Sequence, residues 1–235
     1  MNAVQIEWTP EGISKLADWW EEKTPQELLA LAVERFGTKV ALACSFGAED
    51  VVLVDMLVKI NPEVPIFYLD TDKHFRETYE TRDRMAARYG ISFVQVKPAL
   101  TLEEQAARYG DRLWERDPNL CCNLRKVEPL KAFLRDFDAW ITGIRREQAP
   151  TRANARKVEW DAKFGVVKFN PLADWTFKDV WRYIHENDVP YNPLHDRGYP
   201  SIGCECCTRP VRPGEDFRAG RWAGFNKTEC GLHTS

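Results

Sequence analysis

The chain has 235 residues, with 33 Lys and Arg against 36 Asp and Glu, a formal net charge of −3 and a pI near 5.9. Neither the whole chain nor any long segment is strongly basic, which argues against a general nucleic-acid or membrane-surface binder and makes any basic site a local one. No stretch approaches the roughly 20 apolar residues of a membrane span, and residues 1–12 lack a basic region followed by an apolar run. The seven cysteines, an odd count without a signal sequence, fit metal and thiol chemistry in a reducing compartment better than secreted disulfides, so a soluble cytoplasmic protein is expected.

At this size one α/β domain, residues 1–200, with a functional tail, residues 201–235, is the simplest division. After an N-terminal helical segment, Thr24-Pro25-Gln26-Glu27 supplies an N-cap, a proline at the first helical position and a capping-box glutamate ahead of Leu28, Leu29 and Leu31; Gly37 closes that helix. The apolar, partly β-branched run Val40 to Cys44 predicts a buried strand, with Cys44 as a small core residue, then a Ser-Phe-Gly turn and a helix through Val51 to Ile60. The pattern recurs as a strand from Pro65 to Leu69 with a helix from about Phe75, and as a strand from Ile91 to Lys97 with a helix from about Leu102. A helix near Leu124 to Phe137 and a strand near Ala139 to Thr142 follow. Such alternation predicts right-handed crossovers and a doubly wound, mostly parallel sheet, whose ligands bind beyond the carboxyl ends of the strands. Residues 45–50, 70–78 and 143–156 sit at those ends.

A last helix starts at Thr176, with Asp179 in its first turn and Val180, Trp181, Tyr183 and Ile184 on its apolar face. Beyond Asn187, Pro190, Pro193, Pro200, Pro210, Pro213 and repeated glycines make an irregular stretch, so its order must come from docking or from a metal.

Four features carry chemistry. Ser45 to Asp50 joins a buried strand to a helix, which aims backbone N–H groups and a helix dipole at one point and suits an anion; a plain βα turn that needs a glycine reads the same way. Residues 143–156 gather Arg145, Arg146, Arg152 and Arg156 just past a strand, and Arg218 and Arg221 form a second group; guanidinium forks suit sulfate and phosphate oxygens. Cys121 and Cys122, answered by Cys204 and Cys207, supply four soft thiolates, enough for a [4Fe-4S] cube or a tetrahedral zinc. The adjacent pair favours iron, since zinc ligands near in sequence are usually spaced apart, and a reading without metal stays open. Cys230 lies near the terminus in Glu229-Cys230-Gly231-Leu232-His233. A free thiol is only a few per cent thiolate at pH 7, and about 2 kcal/mol of help from Arg, Lys or a protonated His233 would make it a nucleophile.

Taken together, Ser45 to Asp50, Leu69-Asp70-Thr71 with residues 74–78, the two cysteine pairs and the Glu-Cys-Gly-Leu-His end resemble the assimilatory adenylyl-sulfate (APS) reductases of the APS/PAPS reductase family, over about residues 38 to 235. The resemblance implies an adenine-nucleotide α-hydrolase-like fold with a modified PP-loop, a [4Fe-4S] cluster on Cys121, Cys122, Cys204 and Cys207, and Cys230 as nucleophile. It further implies substrate contacts from Ser45, Phe46, Gly47, Asp70, Lys126, Arg145, Arg218, Arg221 and His233, thioredoxin or a similar dithiol as partner, and a homo-oligomer. In this chain Cys206 stands where the family pattern has a non-ligand residue, often proline, and can compete as a ligand, so the assignment of Cys204 and Cys207 rests on the family spacing. A reductase for the 3'-phosphorylated substrate (PAPS) and a non-catalytic iron–sulfur or zinc sensor of nucleotides are the rival readings.

Overall fold

Thr24 and Glu27 hold the start of the first long helix as the capping pattern predicts. In the computed structural model, which describes residues 6–233, the short helices α1 (Pro10–Lys15) and α2 (Ala17–Glu21) lead into α3 (Pro25–Phe36). The Glu27 backbone N–H donates to Thr24 Oγ1 at 3.2 Å, and the Thr24 N–H donates to the Glu27 carboxylate at 2.7 Å. Both bonds satisfy donors that a helix start leaves open.

The alternation then runs β1 (Val40–Ala43), α4 (Ala48–Ile60), β2 (Ile66–Leu69), α5 (Arg76–Tyr89) and β3 (Val94–Val96). Next come α6 (Leu102–Tyr109), α7 (Leu113–Arg116), α8 (Pro118–Cys122), a π-helical turn over Asn123–Val127, and α9 (Glu128–Leu134). β4 (Ala139–Ile141), β5 (Val158–Asp161), β6 (Val166–Phe169) and α10 (Phe177–Glu186) complete the regular structure. The six strands form one sheet in the order β3-β2-β1-β4-β6-β5, parallel throughout except for β5, which runs antiparallel to β6. The chain winds outward on one side of β1 to β3 and returns to β4 on its other side. The crevice beyond β1 and β4 is therefore the topological switch point, where doubly wound sheets bind ligands.

Side chains of β1 divide between the sheet's two faces: Val40 and Leu42 join the larger core with α3, α4 and α10, whereas Ala41 joins Phe67, Leu130, Leu134 and Trp140 under α9. Burial on both faces is what a parallel sheet needs. Asp55, also buried, accepts from Tyr89 Oη at 2.8 Å, Tyr183 Oη at 2.7 Å and Lys59 Nζ at 2.6 Å, tying α4, α5 and α10 together.

Three elements differ from the sequence expectation. The β5–β6 hairpin went unread. β3 has three residues rather than seven because the sheet ends there, leaving Val94 exposed at the edge. The helix expected from Leu124 to Phe137 is interrupted by the π-turn and ends at Leu134. Past α10 the chain is irregular, with short 3-10 turns at His195–Arg197 and Glu205–Cys207. Among the described residues no helix is long and apolar enough to cross a membrane.

Candidate active site

The loop Ser45–Gly47 leaves the carboxyl end of β1 and opens α4. Phe46 takes a left-handed backbone (φ 60°) and is buried, its ring edge-on to Tyr68 and Phe93 at centroid distances of 5.6 and 5.0 Å. A non-glycine residue holds that conformation only where its surroundings enforce it. Asp50, one turn into α4, accepts from both the backbone N–H and the hydroxyl of Ser45, each at 2.6 Å. Burial pushes the Asp50 carboxyl up to about 6 even though the Ser45 bonds pull the other way. Gly143, just past β4, packs so closely that a Cβ there would fall on the Asp50 carboxylate. The two loops at the switch point are thus locked to each other.

Ser45, Phe46, Gly47, Lys126, Arg218, Arg221, Cys230 and His233 line one cleft at this crevice. Two of the expected contacts do not. Asp70 is turned inward, accepting from Tyr79 Oη at 2.7 Å, Gln95 Nε2 at 2.5 Å and the Asp72 N–H at 3.0 Å. Arg145, 1 % exposed, is held in ion pairs of 2.8 Å to Glu49 and to Glu147. The arginine that lines the cleft from that loop is Arg152, oriented by a 2.6 Å bond to Gln148 Oε1. The sequence marks the loop as cationic, but nothing in it distinguishes Arg152 from its neighbours. His195, also on the cleft, was missed entirely.

Cations converge on the Cys230 sulfur. Burial would raise its pKa, and Glu229 adds to that, but Lys126, the Leu232 backbone N–H and Arg221 outweigh both and hold the thiol below its ordinary value. Burial equally favours discharge of Lys126, yet the neighbouring sulfurs of Cys204, Cys230 and Cys122 keep it charged. Arg218 is pulled down to about 10 by burial and by the like charges of Arg221 and Arg152. Nε of Arg218 and Nε of Arg221 are buried without a hydrogen-bond partner, a costly arrangement that a bound anion would relieve. His233 does not supply the charge expected of it. Its ring stacks on Trp140 (5.6 Å, 13°), and burial together with Arg152, Lys168, Arg218 and Lys163 keeps it neutral.

A second, smaller cavity adjoins the cleft. Cys121 and Cys122 of α8 line it with Cys204, Cys206 and Cys207, among Arg125, Lys126 and Arg221. All seven cysteines of the chain are free thiols. The π-turn directly after Cys122 carries Lys126, so one local distortion presents both a thiol pair and a cation; π-bulges of this kind recur at functional sites. The 204–207 segment docks on the loop after β2: the Glu205 N–H donates to Lys73 O at 2.7 Å, and Thr71 Oγ1 lies 3.3 Å from Cys204 Sγ. Cys206, the exposed thiol of the group, has its Sγ 3.6 Å from that of Cys207. Among the described residues no group of three or more His, Cys, Asp or Glu side chains is arranged to hold a metal ion. In chemistry, a set of soft sulfurs facing four cations, with Lys73 as the fourth, suits an anionic iron–sulfur cluster. Lys126 and Arg221 belong to both cavities and stand between them.

Comparison with known proteins bears on this pairing of sites. The family described as phosphoadenosine phosphosulfate reductase domain matches residues 39–210. An adenosine 5'-phosphosulfate reductase of Halalkalibacterium halodurans is 53% identical over 214 residues, covering 91% of this chain and 93% of that one. A phosphoadenosine 5'-phosphosulfate reductase of Gloeobacter violaceus is 52% identical over 224 residues, covering 94% and 93%. The crystal structure of a phosphoadenylyl-sulfate reductase from Candida auris, a phosphate complex, superposes with a TM-score of 0.76 at 35% identity, covering 87% of this chain and 100% of that one. An FMN adenylyltransferase of Candida glabrata shares the fold alone, at 15% identity, a TM-score of 0.60 and coverage of 79% and 64%.

Proposed function

The chain belongs to the phosphoadenosine phosphosulfate reductase family, enzymes that act on a sulfur group in sulfate assimilation, and on that premise we propose that it reduces APS to sulfite and AMP through Cys230. The observation that carries this reading is the Cys230 thiol set among Lys126, Arg218 and Arg221, with two guanidinium Nε atoms lacking partners. A thiolate approaching a sulfuryl group is an anion meeting an anion, so preorganised positive charge is the main requirement.

The phosphate of the substrate sits on the loop Ser45–Gly47 and its sulfuryl group faces Lys126, Arg218 and Arg221. The Cys230 thiolate attacks sulfur in line; a sulfur–sulfur bond forms, the bond from sulfur to the bridging phosphate oxygen breaks, and AMP leaves with that oxygen. A thiolate of a dithiol protein of the thioredoxin kind then attacks Cys230 Sγ, and sulfite departs with the electron pair. Its second thiol resolves the mixed disulfide, so the dithiol is oxidised by two electrons and Cys230 is regenerated. The end of the chain that carries Cys230 closes for the first step and opens for the second, while the docked segment with Cys204 and Cys207 stays in place.

Cys121, Cys122, Cys204 and Cys207 are the residues that would hold a [4Fe-4S] cluster, with Cys206 outside the set. Such a group supplies charge and order beside the cleft rather than the electrons of the reaction, which come from the dithiol. Lys126 and Arg221 couple that charge to the reacting sulfur. A cytoplasmic homo-oligomer fits this role.

Incubation with APS followed by intact-mass measurement tests the reading: the wild type should gain one sulfonate on the peptide that contains Cys230, and C230S none. Retention of the adduct in C230S would remove the nucleophile assignment. The name of the Gloeobacter relative favours a second reading, use of the 3'-phosphorylated nucleotide. Sulfite release from the two nucleotides, compared side by side, decides between them.

A further inference from the structure

We propose that Glu229 is the positioning residue of this site: its carboxylate, clasped by Arg152 and Arg218, seats Cys230 over the cleft for attack and is let go before the thiol partner arrives. The inference rests on the reading of Cys230 as nucleophile and adds the means by which an irregular tail delivers it.

Both carboxylate oxygens of Glu229 are engaged. Oε1 accepts from Arg152 Nε at 2.7 Å and from Thr151 Oγ1 at 3.1 Å; Oε2 accepts from Arg152 Nη2 at 2.7 Å and from Arg218 Nη2 at 3.3 Å. The paired bonds to Arg152 have the parallel fork geometry that gives guanidinium–carboxylate contacts their directionality. The Glu229, Arg152 and Arg218 side chains are only 7%, 11% and 12% exposed. Screening by water is therefore weak, and removing one partner leaves the other charge buried and unpaired. Arg218 also donates to Thr228 O at 2.9 Å, so the clasp grips backbone and side chain together.

On the other side of Cys230 the chain turns sharply at Gly231, whose φ of 84° suits glycine, and Lys163 of the β5–β6 turn donates to its carbonyl. Cys230 is thus fixed from both flanks. The division of cations follows from this arrangement. Arg152 spends its fork on the tail and Arg218 shares an N–H with it, while Lys126 and Arg221 make no bond to Glu229; Arg221 anchors Nη1 on Ser201 and Ile202 and keeps a buried Nε without a partner for the reacting groups. The clasp involves charges on different segments, the 143–156 loop and the 218–222 turn, and so it is an interaction that can open without unfolding either.

The test uses the holoenzyme as purified. Wild type and E229Q are mixed with APS in a single turnover, and the mass of the tail peptide gives the rate of adduct formation; separately, preformed adduct is treated with excess dithiothreitol and sulfite release is timed. E229Q should form the adduct about tenfold more slowly, within the range found for directly contacting groups, and release sulfite at least as fast as wild type. Equal formation rates overturn the proposal, and so does equal slowing of both half-reactions, which marks a merely structural defect. R152Q serves as a second variant should E229Q fail to fold, and it should slow the same half-reaction. The double variant should be no slower than the slower single one, whereas additive losses overturn the clasp. A wild type that forms no adduct on Cys230 fails at an earlier point: it removes the nucleophile, and the clasp with it.

Discussion

Lys126 and His233 line the same cleft as Cys230, yet only the ammonium lowers the cost of a thiolate, because burial and four surrounding cations keep the imidazole uncharged. The same contrast separates the two outer thiols. Cys207 is half-buried within the small cavity, whereas Cys206 is exposed at its mouth. Under the proposed cluster assignment, C206S is expected to match the wild type in iron and acid-labile sulfide and C207S to fall far below it, as measured by metal analysis and visible absorbance. The residues of this site were unequally legible. Thiols announce themselves by type and spacing, so the five around the cavity could be singled out in the bare chain. An arginine does not announce which way it points. Arg145 and Arg152 are alike in sequence context, and what separates them is the partner that packing gives each: Glu49 and Glu147 for the first, Glu229 beside Cys230 for the second.

Among the elements, the hairpin that periodicity failed to disclose turns out to cradle the tail. Val158-Glu159-Trp160-Asp161 alternates apolar and charged residues, but over four positions only, and β6 opens on the adjacent pair Val166-Val167, so the period-2 signal is too short to stand out; Glu159 pairs with Lys168 across the hairpin at 3.0 Å. Its turn places Phe164 edge-on to Trp140 (5.7 Å, 81°), and Trp140 in turn stacks with His233. Trp140 is 1% exposed at the centre of β4's packing. Trp140→Ala should cost about 3–5 kcal/mol of stability, the usual range for removing a buried tryptophan, and should free the last residues to proteases. A thermal melt and a timed digestion read the two effects. The core of the fold, by contrast, was legible, because helix caps such as Thr24 and the runs in β1, β2 and α4 are local signals that packing only reinforces.

For the molecule as a whole, pH acts on the cleft and the tail with opposite signs. Burial lifts Asp50 to about 6, above its unfolded value, so below that pH the folded protein takes up a proton that the unfolded chain does not yet bind, and the fold gains stability from the discharged carboxyl even as the bonds it accepts from Ser45 weaken. Glu229 goes the other way. Burial would raise it, but Arg152 and then Arg218 hold it below the ordinary glutamate range. Its contribution is present above that range and is lost as pH falls through the depressed folded value. Acid should therefore release the tail before the fold as a whole gives way, and digestion of the tail should accelerate at low pH in the wild type but not in E229Q. A steep acceleration in both proteins would assign the effect elsewhere.

Lys126 and Arg221 form a party wall, and a wall has two tenants. Whatever changes the charge on the thiol side, be it oxidation, metal binding or substitution of a cysteine, rewrites the field felt at Cys230 without touching the rest of the cleft. Neither chamber can be refurbished alone. A chain in which the cysteines of the smaller one were replaced would need a new source of countercharge on the same two side chains to keep its neighbour working.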